Sequence, residues 1–572
     1  MKKRTYIWIL VLTFFVLAAA TTVSFFFISF DRAPTIPSSA YLRLDLSGPI
    51  VDYPETGFWT AFLPGGRALS VHDVWMSLRM AKVDRRIEGI FLKIGPLECD
   101  WAKCAEIRDA LLDFRRSGKK AVAFLEELPE ADKEYYLATG CDRIAIHPLG
   151  WIGINGLGGF VPFFKKGLDM LGIRAEFEHV EEFKTAYNQF TETGFTAAHR
   201  EMTESLLRSR FEDYVAAVAD ARKKSPEEVR ALIDRAFFQG EQAKEAGLVD
   251  EVLYEDQAVA LWAKDGRPAK PVLLSAYERV DPSSLGLNIG RRIALIYGQG
   301  AIHGGSGLAQ TMGSDTVTGW FRAAREDSSI AAVVFRVDSP GGSAVASDAI
   351  WREVQLTRKK KPVVVSMSDL AGSGGYWIAM GADKIIAQPQ TLTGSIGVIS
   401  GKFDLSGLAG KLGITTEKIA LGEKADIFSP YRPMTAGEHA LFKKQILWIY
   451  DRFTAQAAEG RKMTPEAVNR VGRGRVWTGR QAKDLGLVDE LGGLSKAIET
   501  AKNLAGIDVQ EEVRLVVWPK RIPFFASIFG RRETEATRAL AGILPPEWRN
   551  ALDWARRLNE ERVWAVMPVL PQ

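Results

Sequence analysis

One stretch of the chain occurs twice. Tyr135-Tyr-Leu-Ala-Thr-Gly-Cys-Asp-Arg-Ile-Ala-Ile-His-Pro148 lies over Tyr376-Trp-Ile-Ala-Met-Gly-Ala-Asp-Lys-Ile-Ile-Ala-Gln-Pro389, an offset of 241 (376 − 135). The offset persists ungapped through Leu171-Gly-Ile173 and Leu412-Gly-Ile414. Farther on, Gln242-Ala-Lys-Glu-Ala-Gly-Leu-Val-Asp-Glu251 returns as Gln481-Ala-Lys-Asp-Leu-Gly-Leu-Val-Asp-Glu490. So long a period excludes a solenoid of short units. It predicts two homologous domains, roughly 45–265 and 290–505. Both alternate short apolar strands with helical segments, which predicts an α/β fold with parallel pairing. A chain of 572 residues is in any case too long for one core. Pro- and Gly-rich sequence around Asp265-Gly-Arg-Pro-Ala-Lys-Pro271 and Asp281-Pro-Ser-Ser284 predicts a linker over 266–289. An extension follows over 517–572. Its aromatics between basic pairs, Lys520 to Arg532, suit either a lipid surface or packing on the body.

The N-terminus predicts a membrane anchor. Lys2-Lys3-Arg4, within a basic segment 1–5, precede an uncharged run from Tyr6 to Phe30. As a helix that run would be about 37 Å long, enough for ~30 Å of bilayer hydrocarbon. A cleaved leader has a shorter apolar region, about 7–15 residues, and either reading exports the rest of the chain. The basic flank places the N-terminus in the cytoplasm and the domains on the outer side. A net charge of +4 over this length does not point to nucleic acid. Three cysteines without a CxxC spacing, Cys99, Cys104 and Cys141, argue against a disulfide framework or a zinc site and read as buried small residues. Six scattered histidines show no metal-ligand spacing, and no cofactor motif is present.

What the two copies do not share carries the chemistry. In the second copy a β-branched run from Lys361 to Val365 leads to the small-residue turn Ala371-Gly-Ser-Gly-Gly375, and a helix follows from Tyr376. Ser373 thereby falls at a helix N-terminus, where unpaired N–H groups can meet the oxyanion that its attack would create. As a turn residue Ser373 would need no such role, so the rest of the chain has to decide. A second strand, Ala331-Ala-Val-Val-Phe-Arg-Val337, ends in Asp338-Ser-Pro-Gly-Gly-Ser343. Gly341 or Gly342, with Gly374, is the candidate source of oxyanion N–H groups. In the first copy Asp132 stands at the position of Ser373 (373 − 241), and Gly95-Pro-Leu-Glu-Cys99 replaces the Gly-Gly loop. The first copy has instead Lys184 in Glu181-Glu-Phe-Lys-Thr-Ala-Tyr-Asn188, where the second has Ala425. No histidine accompanies these motifs, so a Ser–His–Asp triad has no support. Neutral lysine is a base, and burial can lower its pKa from ~10.4 by up to 3–5 units.

With these motifs the chain resembles the long, two-domain form of signal peptide peptidase A, also called protease IV, from the anchor to about residue 505. The resemblance rests on Asp338-Ser-Pro-Gly-Gly-Ser343, Ala371-Gly-Ser-Gly-Gly-Tyr-Trp377, Leu392-Thr-Gly-Ser-Ile-Gly397 and Phe183-Lys-Thr-Ala186. It implies a Ser–Lys dyad, with Ser373 as nucleophile, Lys184 as base and Ser395 hydrogen-bonding the lysine amine. It also implies a fold like the Clp protease subunit and the crotonases, and a bowl-shaped homo-oligomer, a tetramer. The implied setting is the bacterial inner membrane, with catalytic domains on the periplasmic side and remnant signal peptides and other hydrophobic peptides as substrates. The short form of the family takes its lysine from the segment here reading Gly422-Glu-Lys-Ala-Asp-Ile-Phe-Ser-Pro430, so Lys424 is the rival base. In an extended segment Lys424 would face away from the site at Ala425. Two other classes compete: a crotonase-like acyl-CoA hydratase or isomerase, and an anchored scaffold with a decayed site.

Overall fold

The computed structural model describes residues 34–54, 68–262, 269–307, 310–520 and 564–567. The expected anchor, 6–30, and most of the extension lie outside the described residues. Among the described residues no helix is long and apolar enough to cross a membrane.

Each repeat builds an eight-stranded, mainly parallel sheet. In the first the order is Leu69–Ser70, Ala40–Val51, Ile87–Glu98, Lys120–Leu128, Arg143–Gly153, Phe237–Gln239. In the second it is Val476–Thr478, Leu392–Gly394, Val363–Gly372, Ile330–Ser339, Arg291–Gln299, Val513–Trp518. The central strands are near-continuous apolar runs because helices cover both faces of a parallel sheet. The repeat holds down to single contacts. Tyr135 donates its hydroxyl to the Leu248 carbonyl at 2.6 Å, and Tyr376 does the same to Leu487 at 3.1 Å. Asp250 accepts the Ile144 amide at 2.7 Å, and Asp489 accepts that of Ile385 at 2.7 Å.

Both units run past the boundaries read from composition. Lys270–Leu273, inside the expected linker, pairs in parallel with Ala40–Arg43 at the edge of the first sheet. Val513–Trp518 pairs likewise with Arg291–Ile296 at the edge of the second. In each copy a strand that follows the repeat body thus finishes its sheet, and Pro and Gly near a strand hide that role from a composition reading.

A third, six-stranded sheet interlocks the repeats. Arg174–His179 of the first pairs antiparallel with Ile399–Asp404 of the second, in register from Arg174 opposite Asp404 to His179 opposite Ile399. This pairing carries the following residues, Val180 to Tyr187, across to the second unit.

A second contact between the repeats is charged and buried. Arg336, within the apolar strand Ile330–Ser339, donates to Asp52 at 2.9 Å and Glu106 at 3.0 Å of the first repeat. The Ser366 and Ser368 hydroxyls accept its remaining N–H groups at 2.8 and 3.1 Å. Lys103 of the first repeat donates to Asp338 at 2.6 Å and Asp369 at 2.8 Å, and its own amide donates to Asp369 at 2.9 Å. Both aspartates sit just before the loops that carry Gly341–Gly342 and Ser373. Removing one partner of a buried ion pair leaves an uncompensated charge and costs about 3–5 kcal/mol. Arg336→Met therefore lowers the urea midpoint of unfolding by that much stability, whereas Arg352→Met on the exposed face of its helix leaves it unchanged.

Candidate active site

The strand leading to Ser373 runs farther than its sequence suggests. Leu370, Ala371 and Gly372 pair with Leu392, Thr393 and Gly394, so the strand is Val363–Gly372 and the expected five-residue turn shrinks to one residue. Ser373 alone makes the elbow, at φ 55° and ψ −113°, and the helix Gly374–Ala379 starts at once. Positive φ in a residue other than glycine costs of order 1–3 kcal/mol and persists only when the surroundings enforce it. They do so here. The Ser373 amide donates to the Gly394 carbonyl at 2.8 Å, and its carbonyl accepts the Trp377 amide at 2.8 Å. Trp377 in turn stacks on Phe453 and donates to Gln456 at 2.7 Å.

Lys184 arrives from the other repeat. Its segment is held by the Val180 amide on the Val398 carbonyl and the Phe183 amide on the Arg473 carbonyl, each at 3.2 Å. The Lys184 Nζ lies 2.7 Å from the Ser373 Oγ, 3.0 Å from the Ser395 Oγ and 3.0 Å from the Ser395 carbonyl oxygen. Ser373, Lys184 and Ser395 are each 0% exposed. Burial, with no carboxylate against the amine, pushes the Lys184 pKa well below the ordinary lysine value. Ser395 is also at positive φ, 52°, and its amide donates to the Arg475 carbonyl at 2.7 Å.

Two glycines that sequence reading passed over make room for this lysine. A Cβ on Gly474, which has φ +80°, would sit 2.4 Å from the Lys184 amide nitrogen, and one on Gly397 would sit 3.0 Å from its Cδ. The pattern Val471-Gly-Arg-Gly474 marks a loop, but its partner is 290 residues away (474 − 184), so no local signal names it. Lys103 was also missed, because its two carboxylate partners are in the other repeat.

The glycine loop lies against the elbow. Gly341 and Gly342 have φ of 101° and 156°. A Cβ on Gly374 would meet the Gly342 nitrogen at 3.0 Å, so those two backbones are in close approach. The Gly341 amide donates to the Ser339 Oγ at 3.2 Å, and Gly342 pairs with Ile302 and Ala565 in the third sheet.

The rival residues go elsewhere. Lys424 is exposed, beside Glu423 at 3.5 Å, and its segment is a series of turns rather than the extended run expected from sequence. Asp132, at the first repeat's equivalent of Ser373, accepts the Asn155 and Gly156 amides at 3.2 Å, and burial raises its pKa to about 6. Cys104 and Cys141 are buried, while Cys99 is half-buried with its Sγ 3.5 Å from that of Cys104. No metal-binding cluster occurs among the described residues.

A buried serine at a strand–helix elbow, beside a buried amine with a lowered pKa and facing a glycine loop, is the arrangement of a serine hydrolase that attacks an acyl carbon. A family model described as "Peptidase family S49" matches residues 113–267 and again 355–508. "Serine protease SPPA, chloroplastic" of Arabidopsis thaliana is 34% identical over 523 residues, covering 89% of this chain and 76% of that one. "Protease 4" of Salmonella typhi is 33% identical over 491 residues, covering 81% and 78%. A solved ClpP1 mutant from Listeria monocytogenes matches 36% of the chain and 94% of its own, at 18% identity and a TM-score of 0.25. The chain belongs to peptidase family S49 and is a serine peptidase.

Burial of Lys184 has a measurable cost. Its folded pKa is depressed, so between that value and ~10.4 the unfolded chain binds a proton that the folded chain does not. Stability therefore rises with pH across that window, by about 1.4 kcal/mol for each unit of depression. Lys184→Met, which keeps the volume and removes the titration, melts at a higher temperature than wild type at neutral pH. The difference shrinks as pH approaches 10 in a pH series of melting curves.

Proposed function

We propose that this chain is a membrane-anchored endopeptidase that degrades cleaved signal peptides and other hydrophobic peptides through a Ser373–Lys184 dyad shared between the two repeats. The observation that carries the reading is the 2.7 Å contact between a buried, counter-ion-free amine of the first repeat and the elbow serine of the second. Neutral Lys184 takes the Ser373 proton as Oγ attacks the scissile carbonyl. The tetrahedral oxyanion is met by the Gly374 N–H together with that of Gly341 or Gly342. The ammonium of Lys184 then protonates the leaving amine and returns to neutral. A water, deprotonated by the same amine, hydrolyses the acyl-enzyme ester and frees the carboxylic product. Ser395 orients the amine through its hydroxyl and carbonyl.

The uncharged run Tyr6–Phe30 supports a single-pass anchor, with both units on the outer face of a bacterial inner membrane. We assign residues 45–265 and 290–505 as the bodies of the two repeats, each completed by its edge strand, Lys270–Leu273 within the segment 266–289 and Val513–Trp518 ahead of the rest of the extension 517–572. Association into a homotetramer is the assembly that the family resemblance suggests.

Hydrolysis of an apolar peptide by the full chain tests the dyad directly. Ser373→Ala and Lys184→Ala lose at least about 10³-fold in turnover, while Lys424→Ala keeps most of it. Turnover by Ser373→Ala near the wild-type rate, or a dead Lys424→Ala beside an active Lys184→Ala, would overturn the assignment.

The pH profile gives a second check. Attack needs the neutral amine, so kcat/KM rises with pH through the depressed lysine pKa, well below 10.5. A rising limb centred near the ordinary lysine value would mean that the base is a solvated lysine.

A further inference from the structure

Two of the three cysteines meet where the first repeat grips the second. The Cys99 Sγ lies 3.5 Å from the Cys104 Sγ, and both are free thiols. Local structure brings them together. Asp100 caps the helix Trp101–Arg115 by accepting the Trp101 amide at 2.9 Å, so Cys99 precedes the cap and Cys104 is the fourth helical residue. Residues at these two positions pack on each other across a helix start. The segment between them is tied to the second repeat. The Asp100 and Lys103 amides donate to the Asp369 carboxylate at 3.0 and 2.9 Å, and the Lys103 Nζ reaches Asp369 at 2.8 Å and Asp338 at 2.6 Å. Asp369 belongs to the strand Val363–Gly372, which runs into the elbow serine.

We propose that Cys99 and Cys104 form a disulfide that locks this segment around Asp369. A disulfide bond is about 2.05 Å long, so the two sulfurs have ~1.5 Å to close. Cys99 lies in a bend outside the helix and is half-buried, so it is the sulfur that can move and the one that a reagent can reach. An odd number of cysteines excludes a fully paired framework but leaves room for one bridge, with Cys141 remaining a thiol. The oxidant is a disulfide, carried by a dithiol protein or by a small thiol such as oxidised glutathione. Such oxidants prevail outside the cytoplasm, where the export reading above puts both repeats. The Cys99 thiolate attacks one sulfur of the oxidant and releases the other as a thiolate. Cys104 then loses its proton and attacks the Cys99 sulfur of the mixed disulfide, which releases the second thiolate. Two electrons and two protons have passed to the oxidant, now two thiols. The Cys99 sulfur beside it, together with burial, pushes the Cys104 thiol pKa up, in keeping with Cys104 acting second.

The test equilibrates the folded full chain with oxidised glutathione and then denatures it in an alkylating reagent. Alkylated cysteines fall from three to one, and trypsin leaves Ile94–Lys103 joined to Cys104–Arg108. The oxidised chain melts roughly 2–4 °C above the chain kept in dithiothreitol. Amide hydrogen exchange over 100–104 slows by about tenfold on oxidation. Cys99→Ser melts at one temperature with and without the reductant. No readout is hydrolysis, so failure of the Ser373–Lys184 reading would leave these results unchanged. Three alkylated cysteines after oxidation of the folded chain, or glutathione left on Cys99 with Cys104 free, would overturn the proposal. So would a melting temperature that responds to reductant equally in Cys99→Ser.

Discussion

Two lysines of the first repeat are buried against the second, and their opposite fates organise the molecule. Burial works against the ammonium of Lys103, but Asp338, Asp369 and Asp52 more than offset it, so its pKa stands well above the ordinary value and it stays charged. Lys184 meets hydroxyls and a carbonyl but no carboxylate, so burial alone acts and its pKa falls. One is a staple and the other is the proposed base. A deprotonated amine can exist only where the fold excludes both water and counter-charge, and no single repeat supplies such a place.

The staple matters to the base. Lys103 holds Asp338 and Asp369, and Asp338 also accepts the Leu370 amide at 3.1 Å. The glycine loop and the elbow serine thus spring from strand ends tied to each other and to the first repeat. Across the interface Arg210 of the first repeat, paired with Asp100, donates to the Gln390 carbonyl at 3.0 Å, just before the strand that receives the elbow. The two units therefore cannot shift independently without moving the 2.7 Å contact on which proton transfer would depend. A fused tandem chain keeps this heterologous contact at a fixed stoichiometry. The copies can then diverge, as Asp132 in place of the serine and Ala425 in place of the lysine show.

The repeat, the α/β class and the elbow serine were legible because each is written in local pattern: apolar runs, small residues at a turn, and self-similarity at one offset. Lys184 was legible by subtraction, as the lysine that one copy keeps and the other lacks, and through the Phe183-Lys-Thr-Ala186 motif. The extended reading of the Lys424 segment failed, since turns replace a strand there and leave the side chain in solvent. The linker reading missed the edge strand Lys270–Leu273, whose pairing partner lies some 230 residues earlier (270 − 40). Gly397 and Gly474 look like any loop glycines until Lys184 is threaded between them.

By itself the sequence determined that two related α/β units exist, that one carries a nucleophile-like serine and the other an unmatched lysine, and that no histidine accompanies them. These follow from periodicity and composition, which local sterics and burial translate directly into structure. Only the tertiary structure decided that the lysine is buried and within 2.7 Å of the serine, that the Gly342 backbone closes on Gly374, and that Trp564–Val566 pairs with the glycine loop. A pKa depends on every charge and water within a few ångströms, and those neighbours come from distant parts of the chain. Such an environment has no local sequence signature. It exists only once the two sheets are locked together.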